Sequence, residues 1–445
     1  METEKLRICF RRMTETFAGF LRDEIEGIPV LWKHDPRFKT FRMSLHFRRP
    51  LDDAAVAAAR SLLPSLLMQG TERDPDRPSI ARRMESLYGA GVAPDTLKLG
   101  ESHVLRFSLD SVDGGYLPGN PDLFSEGLAF LADFLARPRL DDGRFPVEIF
   151  ELEQRQVIDY IRSIFDDKGG YALQEAIRNA CQGEPFAIPE YGSETAVSSL
   201  DAKAPEAARQ DFLKHGEVWA LAMGSLPSAG MQEQISGFLS QLPRRAPEVI
   251  GPPVSCEPRD CGSTVERVDL QQSKMILIYR IPWCDDSRTW MARALFASML
   301  GGGPASRLFR ELREKKSLCY YAQASMERHK GLLILQAGLD ESDAEGAREA
   351  ACLQMTDMQA GNFTEEELET ARAGVLSSLA SVDDSVGRHM EYVSNQWLLG
   401  QDRTVIEQTE LYAAITADEI RSAVDGIWLD HCYLLAGSDQ EGGSR

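Results

Sequence analysis

Polar and apolar residues alternate through TLKLGESHVLRFSLD, residues 96–110: Leu105, Phe107 and Leu109 fall on one face, Arg106, Ser108 and Asp110 on the other. A period of two marks a strand with one buried face. A second strand pair is predicted in YYAQASMERHKGLLILQAGL, residues 320–339, around the turn ERHKG. Elsewhere the period lengthens to that of a helix. In LFSEGLAFLADFLA, Phe124, Leu128, Leu131 and Leu135 recur at three- and four-residue spacing and predict a helix ahead of Pro138. Thr364 with Glu367, and Thr416 with Glu419, form capping boxes, in which each side chain satisfies an otherwise unpaired backbone N–H of the first turn.

These elements occur twice. FLKHGEVWALAMGSL and DGIWLDHCYLLAGSD each read as a helix running into an apolar strand that stops at Gly-Ser, namely Gly224-Ser225 and Gly437-Ser438. Upstream, RFPVEIFELEQRQVI from Arg144 and NFTEEELETARAGVL from Asn362 both place Phe second and then an acidic helix start. The order in both halves is helix, strand pair, helix, long helix, further helix, strand. Strands grouped with strands and helices with helices indicate an α+β fold. A repeat of about 215 residues is too long for a solenoid unit. The expectation is therefore two homologous, duplicated domains, each a sheet with helices packed on one face. Their boundaries are set at 1–241 and 263–445, joined by a linker at 242–262, LPRRAPEVIGPPVSCEPRDCG, rich in proline and charge.

Composition narrows the function. A chain of 445 residues, 43% apolar and 27% charged, is long enough for two domains with full cores. A net charge of −20 argues against nucleic acid or an anionic membrane as partner, since both need clustered positive charge. The apolar runs MILIYRIPW and CYLLAG are far shorter than the roughly 20 residues a membrane span needs. The start, METEKLRICFRRM, lacks the apolar stretch of a secretion signal, and a cytoplasmic location is expected. The cysteines at 9, 181, 256, 261, 284, 319, 352 and 432 are scattered. Only Cys256 and Cys261 are close, and without a second pair they make no zinc knuckle. They read as reduced thiols, mostly used in packing.

One segment stands out in this acidic chain: GGGPASRLFRELREKKSLCYY, residues 301–321. Five cations, Arg307, Arg310, Arg313, Lys315 and Lys316, face only Glu311 and Glu314. No Gly-Lys follows the glycines, so the segment is not a phosphate loop, and no G-x-G-x-x-G dinucleotide fingerprint occurs. Read as a helix, it sets Leu308 and Leu312 on one face and the arginines beside them. The plain reading is a solvated, positively biased helix face.

The same segment resembles the second-half signature of the pitrilysin/insulinase-type zinc peptidases, which include the mitochondrial processing peptidases. That family's form is a Gly-rich turn, Ser-Arg-Leu-Phe, Arg-Glu-Lys and Leu-x-Tyr, and its members are built from duplicated α+β halves. The resemblance spans roughly residues 30–440. It implies that Arg313 and Tyr320 hold the substrate peptide: Arg offers a rigid fork of donors, and Tyr one hydroxyl beside an apolar ring. Tyr321 is expected on the opposite side of its strand, and Cys319 is expected to pack.

The family's chemistry also needs His-x-x-Glu-His, two zinc ligands and a general base on one helix, with a later Glu completing the site. Here SLLPSLLMQGTE ends in the Gly70-Thr71 that follows the motif in the family, so the motif positions fall on Ser61, Pro64 and Ser65. The histidines, at 34, 46, 103, 215, 329, 389 and 431, include no two within five residues, so no helical pair exists. His103 in a strand and His329 in a turn read as solvated or structural. The later carboxylate is placed at Glu151, with Glu153 as the alternative register. A lone carboxylate makes no zinc site, and no G-x-S-x-G elbow offers a serine nucleophile. No metal ligand and no catalytic residue is therefore assigned.

A chain that keeps the substrate motif and lacks the metal motif is similar to the non-catalytic subunit of the family's two-chain bacterial enzymes. The resemblance implies a zinc-bearing homologous partner, a peptide substrate such as a precursor or leader peptide, and no peptidase activity for this chain alone. The alternative is a peptide-binding or structural protein of the same fold.

Overall fold

The computed structural model describes residues 15–243 and 245–437; Cys9 and Ser438 lie outside them. The first half forms a seven-stranded sheet: β1 (Glu15–Phe17), β2 (Phe20–Ile25), β3 (Ile28–His34), β4 (Thr40–Pro50), β5 (Gly91–Leu99), β6 (Ser102–Val112) and β7 (Glu217–Gly224), in the order β1-β2-β3-β7-β4-β6-β5. Five strands make the second sheet: β8 (Gly262–Val268), β9 (Ser273–Arg280), β10 (Tyr321–Glu327), β11 (Leu332–Leu339) and β12 (Trp428–Gly437), in the order β10-β11-β9-β12-β8. Strands β3-β7-β4-β6-β5 and β8-β12-β9-β11-β10 repeat one topology. In each, the first strand runs parallel to the last and every other neighbour is antiparallel. The duplication read from the sequence is thus present strand for strand, with β1 and β2 as an added edge. Among the described residues between Leu239 and Gly262 the chain forms neither helix nor strand. Among the described residues no helix is long and apolar enough to cross a membrane.

Each half packs its own helices on one face of its sheet, as the alternation predicts. Met43, Leu45 and Phe47 of β4 and Leu105, Phe107 and Leu109 of β6 meet Phe124, Leu128, Leu131 and Leu135 of the helix Leu123–Ala136. Both capping boxes form. The opposite faces are covered by an exchange between the halves, which the sequence reading did not foresee. On β7, Val218, Ala220 and Ala222 face the first half's own core, while Trp219, Leu221 and Met223 point the other way. There they meet Met390 and Val393 of the helix Val386–Leu398, which belongs to the second half. Reciprocally, Ala172, Ala176 and Ala180 of the first half's helix Lys168–Ala180 lie against Ile276, Ile278, Leu332, Ile334, Tyr433 and Leu435 of the second sheet. Alanine at every fourth position bares one helix face and lets the backbone approach the branched side chains closely.

At the end of the exchanged helix Lys168–Ala180, six charged side chains form a network between the halves. Lys330, in the turn between β10 and β11, is fully buried and donates to Glu101, to Glu184 and to the Val254 carbonyl. Arg280 bridges Glu184 and Asp430 at 2.7 and 2.8 Å, and Arg259 of the connecting segment reaches Asp430 at 2.6 Å. Arg280 and Arg259 also donate to the carbonyl of Ala180, at the end of the exchanged helix. Three positive and three negative groups balance. Burial pushes the Glu184 carboxyl up, but hydrogen bonds from Arg280 and Lys330 outweigh it and hold the group below its ordinary range. Its contribution to stability is therefore complete above the usual carboxylate range and lost as the pH falls through its lowered value.

Replacing Lys330 by Met leaves the mostly buried Glu101 carboxylate without its cation and Glu184 with Arg280 alone. The expected cost is about 3–5 kcal/mol, read from urea unfolding at pH 7. A loss below about 1 kcal/mol, the range of a surface ion pair, would contradict this role.

Candidate functional site

The segment 301–321 is held by packing at both ends. Gly301 closes the helix Ser287–Gly301 against β10, where a Cβ would lie 2.2 Å from the Ala324 nitrogen; Gly303 adopts φ +152°. A Cβ has no room at Gly301, and at Gly303 the backbone conformation, not the space, disfavours a side chain. Beyond the turn, Phe309–Lys315 winds as a π-helix, a rare wide form frequent at functional sites. Leu308 and Leu312 are buried in the second core as expected. Ser317 takes a left-handed φ of 52°, and Leu318 N–H closes the helix on the Leu312 carbonyl at 2.8 Å.

The cations of this segment do not form a uniform solvated face. Arg307 is mostly buried. Its guanidinium clamps both oxygens of Glu367 at 2.7 Å and reaches Asp357 at 3.1 Å and the Asn362 carbonyl at 3.0 Å. Arg310 adds a second ion pair to Glu367, and Lys315 pairs with Glu311 at 2.6 Å. Arg307 therefore locks the segment to the capping box of the helix Glu365–Ala380. Arg313 is exposed, has no carboxylate partner among the described residues, and lies 4.7 Å over the Phe309 ring. Tyr320 is 52% exposed; its N–H bonds the Gly338 carbonyl at 2.7 Å, and its hydroxyl donates to Asp340 at 3.0 Å. Hydrogen bonding to that carboxylate pushes the phenol up. Tyr321 turns instead onto β11, close against Gly338, with the Lys274 ammonium 5.4 Å from its ring. Cys319 is buried in the core, and burial pushes its thiol up, partly offset by the nearby Arg313 cation.

The positions of the absent metal motif also come together. Ser61, Pro64, Ser65 and Glu153 line one cavity of about 240 Å³, with Asp95 and Thr96 of β5 and the rings of Tyr160 and Tyr191. Glu153, the alternative register, is the residue that faces it, at 1% exposure; Glu151, the first choice, is exposed on the helix Val147–Ser163. Two residues along a helix turn a side chain by about 200°, so a two-residue register error exchanges inside for outside. Arg313 and Tyr320 do not line this cavity.

A zinc ion does not fit these residues. The Ser61 hydroxyl donates to the Ala58 carbonyl at 2.9 Å and the Ser65 hydroxyl to Leu62 at 3.1 Å, each within its own helical stretch. Glu153 is engaged by Gln69 at 2.5 Å and Arg77 at 3.8 Å, and Asp95 by Arg106 at 2.7 Å. Pro64 offers no donor atom and splits the helix: Ala54–Ser61 ends, and Leu63–Leu67 starts afresh with Pro64 in its first turn. Proline cannot bond the Arg60 carbonyl four residues back; that oxygen takes the Leu62 N–H and the Thr96 hydroxyl, the latter at 3.3 Å. Among the described residues no group of three or more His, Cys, Asp or Glu is arranged to hold a metal. His103 is fully buried with both ring nitrogens unbonded, and burial takes it down to about 3, so it is a neutral core residue.

Two outcomes follow. The purified chain should carry well under about 0.1 zinc by elemental analysis; a value near one would require a four-coordinate site. Glu367 is pulled from 4.5 to about 2: burial raises it, but the Arg307 hydrogen bonds and the Thr364 N–H outweigh that. Its contribution is complete above about pH 4.5 and lost as the pH falls toward 2. Glu367→Gln should cost about 1–3 kcal/mol at pH 7 and flatten the acid limb of the stability profile. An unchanged acid limb would contradict the clamp.

Comparison with known proteins places these features. A family model described as Peptidase M16 inactive domain matches residues 210–375, which include the whole 301–321 segment. The chain is 26% identical over 424 residues to the probable inactive metalloprotease YmfF of Bacillus subtilis, covering 95% of this chain and 99% of that protein. A conserved protein of Enterococcus faecalis superposes with a TM-score of 0.87 at 25% identity, over 95% of this chain and 100% of that one. A peptidase M16 inactive domain from Pseudomonas fluorescens shares the fold, with a TM-score of 0.78 at 18% identity over 94% and 98%. With the duplicated sheet, these matches make residues 210–375 similar to the M16 inactive domain and the whole chain similar to a probable inactive metalloprotease and to the fold of an M16 inactive domain, on a sequence without His-x-x-Glu-His.

Proposed function

We propose that this chain is the non-catalytic subunit of a two-chain zinc peptidase, presenting peptide substrate to a zinc-bearing partner of the same fold. The observation that carries the reading is the division of labour within 301–321. Arg307, Arg310 and Lys315 are engaged in ion pairs that fix the segment, whereas Arg313 stays exposed and without a carboxylate partner. An arginine held on an anchored helix and left without a carboxylate retains its planar fork of donors for peptide carbonyls. Tyr320 stands nearby with its hydroxyl oriented by Asp340. Holding the peptide in one orientation removes part of the entropic barrier to cleavage, whichever chain performs the chemistry. The matched description as an inactive domain supports a role of this kind.

Arg313→Ala and Tyr320→Phe should each lower kcat/KM of the reconstituted pair, Arg313→Ala by about 10–100-fold, the loss of a charge-assisted hydrogen bond. Both side chains are exposed, so unfolding free energy should shift by no more than about 0.5 kcal/mol. Full activity in both variants would sink the shared-site idea.

A further inference from the structure

A cavity of about 440 Å³ opens between the two halves, away from both sites above. Arg48 and Leu99 wall it from the first half, and Trp283, Trp290, Arg328 and His329 from the second; the strap Ile250–Pro253 of the connecting segment completes it. Its size suits a small ligand, and junctions between domains are where such sites concentrate. Trp290 is buried and Trp283 stands at the mouth, their rings edge-to-face at 5.5 Å.

The charge inventory of the wall is unequal. Arg48 is paired with Glu217 at 3.4 Å, and Glu101 is committed to Lys330. Asp52 and Asp285 are exposed and do not bond Arg328. Arg328 makes no hydrogen bond or ion pair among the described residues; its Nε is buried without a partner, and its guanidinium lies 5.6 Å from the Trp290 ring. Burial, together with the neighbouring Arg403, makes its charge costly, and its value is lowered accordingly. His329 is pushed down to about 4 by burial and then by Arg328 and Arg48, so at neutral pH it is an uncharged ring beside the guanidinium. In a chain of net charge −20, one arginine fork is left without an anion, against an indole wall.

We propose that this cavity binds the free C-terminal carboxylate of a short peptide whose last side chain is apolar. The Arg328 fork takes the two carboxylate oxygens, the geometry in which Arg is strongest. Trp283, Trp290 and the prolines of the strap receive the side chain. One uncompensated cation matches one negative charge; a dianionic phosphate would leave excess charge facing Asp52, Asp285 and Glu101. The site does not depend on a partner chain, and its test uses this chain alone.

The experiment is a tryptophan-fluorescence titration, backed by calorimetry, with N-acetyl-Gly-Gly-Phe as the free acid. The acid should bind, and its C-terminal amide about tenfold or more weaker. Arg328→Gln should lose the same factor while its thermal midpoint holds or rises, because a half-buried charge without an ion-pair partner has been removed. Arg328→Lys, with charge but no fork, should recover part of the binding, and Arg313→Ala should leave it unchanged, which separates this site from the one proposed above. Equal binding of acid and amide, full binding by Arg328→Gln, or equally good binding of inorganic phosphate or of N-acetylphenylalanine would overturn the proposal.

Discussion

Burial of Lys330 between Glu101 and Glu184 is the constraint on which the arrangement of the two halves depends. Each sheet has two apolar faces and helices of its own for only one. The other is covered by a helix lent from the opposite half, so neither half covers both faces of its sheet alone. The ion network stands at the end of one of these loans and fixes its register, because Arg280 and Arg259 hold the lent helix through the Ala180 carbonyl. An apolar interface alone tolerates sliding; a balanced set of buried charges does not, since any displacement leaves an ion uncompensated.

This frame holds the 301–321 segment in place and surrounds the cavity at Ser61, Pro64 and Ser65. The 301–321 segment is anchored by Gly301 against β10 and by Arg307 on Glu367, so Arg313 and Tyr320 stand on a fixed base. At the other locus, Pro64, which the resemblance aligns with the general base, carries no side-chain oxygen and stands in the first turn of a separate short helix. The surroundings are closed around that loss: Thr96 takes the freed carbonyl, the serines bond back within their helices, and Arg77 and Gln69 occupy Glu153. A site left half-built would expose unsatisfied polar atoms; this one has been satisfied by other partners.

Much of this was legible in the chain. Alternation in residues 96–110 gave the correct inward face, the capping boxes gave two helix starts, and the echo gave the repeated topology. The exchange of helices was missed although a signal for it exists: VWALAM of β7 and MILIY of β9 are continuously apolar, the pattern of strands covered on both faces. Nothing in either run says which half supplies the cover. The choice of Glu151 over Glu153 failed because helical phase cannot be read to one residue without a fixed anchor. Arg307 passed for a surface cation since its partners, Asp357 and Glu367, lie 50 and 60 residues further on. Lys330 resembled any charged turn residue for the same reason: ion pairs across the fold leave no local pattern.

The central claim is that this chain has given up metal chemistry and retained a peptide-holding surface for use beside another chain. Native mass spectrometry of the tagged protein recovered from its own host tests it most directly. The account predicts a one-to-one complex with a second chain of similar mass, carrying about one zinc as a four-coordinate catalytic site requires. A zinc-free homodimer, or this chain within a larger assembly lacking any zinc-bearing homologue, would contradict it and leave Arg313 and Tyr320 as inherited remnants.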